Sequence, residues 1–486
     1  MSKIYSASEM QKWDQYTISH TPIASIELME RAAIKCTKQL LGNHRFQTIS
    51  IVCGKGNNGG DGLAIARILA SCEKEVTVYI CDYSLAESTD FTENLKRLPS
   101  TVKFVRLNEK SPVSFKADLI IDAIFGTGLT RPVEGWLGLI LSSMNASGTP
   151  IISIDIPSGL FATENQNNPL QNCIRAAETL TFQQTKMVFL HAEYAVYTGK
   201  VKVLDIGLSP FFTGKEEALL IGAGDCELES SNVFAHKGTK GYLSIIAGNS
   251  TMLGAAILAA KAGFKTGAGY VGVMGPEELI SPLAVHLPEA IWMGEKWSSL
   301  SKKTTALAIG PGIGKSAKAL SILTSALKAN LPVVIDADAL NLISENPSLW
   351  KEIPKNTILT PHFKELTRLI GRTNSPEECL ARQQAFSVEH SVFILQKGAF
   401  SKLTCPDGSI YVNSTGNEAM ATAGMGDALT GMIGSFLAQG YPAKNAAMNG
   451  IYYHGLAGDI AVKKLGKHGL ITSDLIHFIP AALNSL

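Results

Sequence analysis

Short apolar runs that end in glycine- and aspartate-rich loops recur along the chain, each followed by a helical stretch, and this alternation dictates the fold class. Residues 48–53 (TISIVC), 75–81 (EVTVYIC), 118–124 and 150–156 (PIISIDI) read as buried parallel strands. Helices are expected between them at 23–41, 62–72, 86–98 and 135–146, the first with Ser25 as N-cap and Leu28, Ala32 and Cys36 as its buried stripe. The pattern restarts with strands at 241–247, 270–274, 305–309, 332–336 and 356–360, a helix at 253–267 and a hairpin at 401–412 turning on Asp407-Gly408. Such β-α alternation demands a parallel sheet covered on both faces. Between the two series, residues 207–240 mix Gly, Pro, Ser and charge without period. Two α/β domains are therefore expected, divided at 222/223: 1–222 and 223–486.

Composition narrows the function classes. The chain is 45% apolar and 17% charged, ordinary for a globular protein. Its 43 basic and 42 acidic residues leave no excess to neutralise a phosphate backbone, which excludes nucleic acid as a default partner. The eight cysteines form no CxxC pair, so buried thiols in a reducing compartment are expected rather than a metal or disulfide framework. No uncharged run approaches the ~20 apolar residues that span a bilayer. The N-terminus has no apolar signal core, so a cytoplasmic location is expected.

Three N-terminal strand ends carry chemistry. Gly54-Lys55-Gly56-Asn57-Asn58-Gly59 has the outline of a dinucleotide fingerprint, with Asp82 after the next strand. The outline alone is weak, and Asn57 to Gly62 is unusually crowded with side-chain oxygens, which suit a hard cation or a sugar hydroxyl. A tight polar turn is the competing reading. Asp122 runs into Gly126-Thr127-Gly128, and Asp155 into Pro157-Ser158-Gly159. In open α/β sheets ligands bind beyond the carboxyl ends of strands, where all three loops lie.

In the C-terminal half, Gly310 to Ser316 invites a phosphate-loop reading, but position 309 is Ile where that motif needs Gly, so Lys315 is expected to be a solvated residue at a helix start. Gly424-Met425-Gly426-Asp427 before a small-residue helix is the stronger signal. Glycines at a helix N-terminus make an anion hole from free N–H groups and the dipole, and Asp427 at its mouth can accept a hydroxyl proton. The alternative is an N-capping Asp. His454 reads as a satisfied core histidine and His236 as an exposed linker residue.

Residues 1–210 resemble the NAD(P)H-hydrate epimerase family through CGKGNNGGDG at 53–62, DAIFGTGLTRPVEG at 122–135 and SIDIPSGL at 153–160. The resemblance implies a Rossmann-like three-layer α/β domain in which Asn57, Asn58, Gly59, Gly60, Asp61, Gly126, Thr127, Gly128, Leu129, Thr130, Arg131, Pro132 and Asp155 bind the hydrated cofactor. It also implies potassium (K+) on Asn58, Asp122 and Ser158. Asp155 is expected either to move a proton or to accept a hydrogen bond from ribose or nicotinamide.

Residues 235–486 resemble the NAD(P)H-hydrate dehydratase family, a ribokinase-like fold, through HKGTKG at 236–241, GAAILAAKAGFKTGAGYV at 254–271, IGPGIG at 309–314, DADALN at 336–341, TPH at 360–362, KGA at 397–399 and GMGD at 424–427. This implies hydrate contacts at Ala255, Gly312, His362 and Asp427, and nucleotide contacts at Lys397, Gly398, Ala399, Phe400, Ser401 and Gly426. The implied cofactors are Mg2+ with ADP or ATP. The implied partners are the NADH and NADPH hydrates, the nucleotide and a second copy of the chain in a homo-oligomer. Two departures bear on nucleotide preference: Phe363-Lys364 after TPH, and Glu418-Ala419 after Asn417. Together the resemblances imply a bifunctional isomerase and lyase that epimerises the hydrate and then dehydrates one epimer. A vitamin-type kinase of the same fold, a nicotinamide dehydrogenase and a silent cofactor-binding scaffold are the rival readings.

Overall fold

The computed structural model describes residues 1–111, 114–229 and 233–485. The chain forms two compact units, Ile4–Glu217 and Ala218–Leu486, the latter joined by Met1–Lys3. The division thus falls before the expected 222/223. The reason lies in the stretch read as unpatterned: it contains the strand Glu216–Ile221, whose Leu219 to Ile221 pair in parallel with Tyr411 to Asn413. Of that stretch, residues 230–232 lie outside the described residues.

The N-terminal sheet has seven strands in the order Lys103–Leu107, Glu75–Cys81, Thr48–Cys53, Leu119–Ala123, Ile151–Ile154, Glu178–Phe182 and Lys200–Leu204. All its neighbours are parallel. Side chains of a strand alternate between faces, so both faces of this sheet are apolar. Ile49, Ile51 and Ile121 pack into one core with Leu63 and Leu69, and Val52 and Ile120 into another with Ile140 and Met144. The helix Asn57–Ser71 begins earlier than the sequence suggested, with Gly56 as its cap. The oxygen-rich segment is therefore its first turn. Glycine permits this, since a Cβ on Gly59 would lie 2.0 Å from the Gly54 carbonyl oxygen and one on Gly62 2.7 Å from Ala123 and Cys53. The helix Ser25–Asn43 is capped at Ala24, not Ser25, and buries Leu28, Ala32 and Cys36.

The C-terminal sheet has eleven strands, ordered Ser2–Tyr5, Glu216–Ile221, Ile410–Asn413, Lys402–Thr404, Phe393–Gln396, Ile358–Leu359, Val333–Ile335, Ala306–Ile309, Tyr242–Ile246, Tyr270–Met274 and Ile291–Trp292. It is parallel from Phe393–Gln396 to Ile291–Trp292, and the expected hairpin supplies its antiparallel step. Two cores again sandwich it: Leu243, Ile245 and Ala308 face the helices Leu253–Lys265 and Met425–Ala438, while Ile246, Leu307 and Ile335 face Ala317–Lys328 and Ala337–Glu345. Three-layer α/β architecture thus forms in both units, as expected. No helix of the described residues is long and apolar enough to cross a membrane. All eight cysteines are free thiols, and Cys72 alone among them is exposed.

Candidate active sites

The N-terminal site lies where the strand order reverses, between Thr48–Cys53 and Leu119–Ala123, the natural crevice of such a sheet. A cavity of about 490 Å³ opens there, lined by Asn57, Asn58, Asp61, the loop Gly126 to Arg131, and Asp155. Asp155 ends its strand with φ +68°, a left-handed conformation worth about 1–3 kcal/mol of strain in a non-glycine residue. Its carboxylate is clamped: the Thr127 N–H donates to Oδ2 and Lys186 Nζ to Oδ1, each at 2.9 Å. A Cβ on Gly126 would lie 2.8 Å from Oδ2, so glycine is required for this approach. Lys186 is almost wholly buried and also donates to Thr181 Oγ1. The fingerprint reading loses its acidic residue: Asp82 accepts from Lys55 Nζ at 2.7 Å.

Beside this pair, Asp122 is fully buried. It accepts from Ser158 Oγ at 2.6 Å, Ser158 N at 2.8 Å, Ser153 Oγ at 2.8 Å and Ile124 N at 3.3 Å. Burial still outweighs these bonds and pushes its pKa up. Asn58 is buried with neither amide atom hydrogen-bonded. An unpartnered buried amide costs about 1–3 kcal/mol, so this group needs a ligand. An all-oxygen set of low charge fits a monovalent cation. Among the described residues, no group of three or more His, Cys, Asp or Glu could hold a metal, which argues against a transition-metal centre.

Of the residues expected here, Gly59 and Gly60 pack against Gly54 and Met29 rather than lining the cavity, and Pro132 stands at the surface. The structure adds four polar residues the motifs did not point to: Gln11, Asp14, Tyr83 and Lys186. Lys186 follows the strand Glu178–Phe182, which has an apolar-polar alternation that was legible. Asp14 lies on a polar helix, where nothing local distinguishes it. It is pushed up to about 6 by burial and next by Asp155, with Lys186 opposing.

The C-terminal site is also built at parallel strand ends. Gly310 to Gly312 follow Ala306–Ile309, Asp336 follows Val333–Ile335, His362 lies just beyond Ile358–Leu359, and Lys397 follows Phe393–Gln396. Asp336, buried, accepts from Lys397 Nζ at 2.6 Å and from Thr430 Oγ1 at 2.7 Å. A Cβ on Gly426 would lie 3.3 Å from that Nζ, so the pair sits against the N-terminal turn of Met425–Ala438. Gly424, with φ +90°, caps this helix, and Asp427 is its third residue rather than its cap. The first N–H groups of a helix have no intrahelical acceptor and form an anion hole. Asp427 is pushed up to about 6 by burial and next by Asp336, with Lys397 opposing.

Ala255 and Gly312 adjoin, for a Cβ on Gly312 would lie 3.4 Å from that of Ala255. His362 is exposed and closes a capping box with Glu365. Its strand-end neighbour is Lys397, to which it is bridged. Gly398 to Ser401 form a turn in which the Gly398 N–H donates to Ser401 Oγ at 3.3 Å. Glu418 projects to the surface and is paired with Lys467 at 2.6 Å, so its charge is neutralised there. Lys315 is solvated and paired with Glu345. His236 is exposed, as expected. His454 departs from expectation: it is buried and hydrogen-bonded to the Met425 backbone, but its Nε2 has no partner. Burial holds its pKa down at about 4, so the ring is neutral. Asp336 and Thr430 were not singled out from sequence, although DADALN carried the former.

Two families match the chain. One described as YjeF-related protein N-terminus covers residues 25–188, and one described as NAD(P)H-hydrate dehydratase covers 243–481. The bifunctional NAD(P)H-hydrate repair enzyme Nnr of Moorella thermoacetica is 32% identical over 99% of this chain and 97% of its own length. The enzyme of the same name from Coxiella burnetii is 32% identical over the full length of both. Among solved structures, the ADP/ATP-dependent NAD(P)H-hydrate dehydratase of Bacillus subtilis, co-crystallised with ATP/Mg2+, is 29% identical over 53% of this chain and 93% of its own, with a TM-score of 0.49.

Proposed function

We propose how two sites divide the work of a chain that belongs to the family of bifunctional NAD(P)H-hydrate repair enzymes. Residues 4–217 carry the epimerase and residues 218–486 the dehydratase. The observation that carries the second assignment is Asp427, a half-buried carboxyl beside the Asp336–Lys397 pair at a glycine-capped helix N-terminus. With ADP or ATP as donor, the hydroxyl of the hydrated ring attacks the terminal phosphoryl group. Asp427 takes the hydroxyl proton, and the N–H groups from Gly424 to Gly426 hold the phosphoryl oxygens. Phosphate then leaves with the C–O electron pair more readily than hydroxide would, the adjacent ring carbon gives up a proton to solvent, and the ring double bond is restored. Mg2+, entering with the nucleotide, would supply charge neutralisation. Ala255, Gly312 and His362 hold the hydrate, while Lys397 to Ser401 and Gly426 hold the nucleotide. The reaction runs in the cytoplasm, and the chain works as a homo-oligomer.

In the epimerase, the hydrate enters the cavity between Asn57 and Arg131, with Asp155 as the group that moves its proton. Asn58, Asp122 and Ser158 would hold potassium, which would supply a fixed positive charge for the hydrate's oxygens. The unpartnered Asn58 amide supports this ligand. Rubidium or thallium soaks read by anomalous scattering test it: a peak between the three loops is expected, and a water at ordinary hydrogen-bond distances there would refute it.

The decisive experiment mixes the full-length protein with both epimers of hydrated NADPH and ADP or ATP. The near-ultraviolet absorbance of the intact reduced cofactor should return from both epimers, with phosphate released. A net phosphorylated product would instead indicate a small-molecule kinase.

A further inference from the structure

The loops that carry the epimerase motifs account for only part of the lining of the N-terminal cavity; another part comes from the helix Ala7–His20. Met10, Gln11 and Asp14 occupy positions i, i+1 and i+4 of that helix, so they share a face, and that face lines the cavity. Asp14 is the acidic one. Its carboxyl has no hydrogen-bond partner among the described residues, although it shares the cavity with Asp155, Lys186 and Asp61. Asp155 accepts hydrogen bonds from Lys186 Nζ and the Thr127 N–H. Two carboxyl groups facing one cavity, one clamped by two donors and one bare, are the arrangement by which acid and base roles are divided.

We propose that Asp14 is the general acid of the epimerase, acting against Asp155 as the base. This deepens the epimerase reading and rests on it. The hydrated carbon carries both a hydroxyl and the ring nitrogen, so it inverts by opening and reclosing the ring. Asp155 removes the hydroxyl proton, C–O becomes C=O, and the ring C–N bond breaks. Its electron pair goes to nitrogen, which takes the proton of Asp14. Rotation about the neighbouring C–C bond offers the other face of the carbonyl. Nitrogen then attacks, returns its proton to Asp14, and the oxygen recovers its proton from Asp155. Atoms and electrons balance without oxidant or reductant.

The ionisation of Asp14 agrees with the role. Burial and the Asp155 charge raise it to about 6, with Lys186 opposing, so a usable fraction stays protonated near neutrality. Asp61, raised by burial and by Asp155 and Asp14, is the rival acid, but it sits more deeply in the first turns of Asn57–Ser71.

The test follows conversion of one purified epimer into the other by the full-length protein without nucleotide, with the uncatalysed rate subtracted. The parent kcat/KM should fall about tenfold per pH unit above the Asp14 midpoint. Asp14→Asn should lower kcat/KM by roughly 10²–10⁴-fold and abolish that alkaline limb, while Asp14→Glu recovers part of the rate. Dehydration of the competent epimer with nucleotide should stay within twofold in both variants. A parent profile with no alkaline limb, an Asp14→Asn rate within threefold of the parent, or a limb that vanishes in Asp61→Asn but persists in Asp14→Asn would each overturn the proposal. A parent that interconverts no epimers at all refutes the epimerase reading itself.

Discussion

The two sites solve the same electrostatic problem with different third components. Each places an aspartate at the carboxyl end of a parallel strand and pairs it with a buried or half-buried lysine that follows another strand of the same sheet: Asp155 with Lys186, Asp336 with Lys397. Each strains the backbone at that corner, Asp155 itself at φ +68° and Ala337, just after Asp336, at φ +48°. Each then sets a second carboxyl nearby, Asp14 or Asp427, raised to about 6 by burial and by the paired aspartate. The difference is what carries that second carboxyl. Asp427 stands on a glycine-capped helix N-terminus, beside N–H groups that can hold phosphoryl oxygens. Asp14 stands mid-helix, where no such groups are free. The shared part manages protons; only the C-terminal site adds the device for phosphoryl transfer.

The sharpest way to break this comparison is Asp427→Asn. It keeps shape and removes the base, so dehydration should fall roughly 10²–10⁴-fold while nucleotide binding survives on backbone N–H groups. Isothermal titration with ADP and the cofactor-recovery assay measure the two. Dehydration within a few-fold of the parent would reduce Asp427 to a structural helix residue, and loss of epimerisation as well would end the division of labour.

Breaking the ion pairs asks whether the units are held separately. Removing one partner of a buried pair strands the other and costs roughly 3–5 kcal/mol. Lys186→Met should therefore lower the unfolding midpoint of the N-terminal unit and Lys397→Met that of the C-terminal unit, each in a two-transition denaturation curve. A single transition shifted equally by both would show that the units unfold as one.

A smaller effect distinguishes acid from base. Asp427 must be ionised to act, so dehydration should rise about tenfold per pH unit up to its midpoint of about 6 and level above it. A dehydration profile that instead declines above pH 6 would contradict the base assignment.

The least effect is on stability. Because Asp427 has a folded-state value raised from 3.8 to about 6, its contribution is fully favourable below 3.8 and is lost as pH rises through 6. Asp427→Asn should thus raise the C-terminal midpoint by a few degrees at pH 8 and by nothing near pH 4. Equal shifts at both pH values would mean that the gain does not come from the charge.

Local chemistry made much of this protein legible before folding. The strands around TISIVC and LIIDA, the glycine-led turn at Gly424 and the hairpin at Asp407-Gly408 depend on neighbours within a few residues, and sequence order records those neighbours. Asp155 and Asp427 were visible for the same reason, each standing where a strand or loop meets a glycine. The start of Asn57–Ser71 was misplaced because its glycines look like loop until the Gly54 carbonyl and Ala123 are seen packed against them. The strand Glu216–Ile221 escaped because its pattern is weak and its partner lies some two hundred residues away. Asp14 could not be read at all, for it sits on a polar helix, while Lys186 had only the alternating strand Glu178–Phe182 before it as a signal, and the cavity alone gives the two a shared purpose. Burial, which sets the acidity of Asp14, Asp122 and Asp427 and leaves the Asn58 amide in want of a ligand, is a property of the packed chain. Sequence determines which groups exist and which local turns present them; tertiary structure decides which of them lose water, and the loss of water is what turns a carboxyl into an acid or a base.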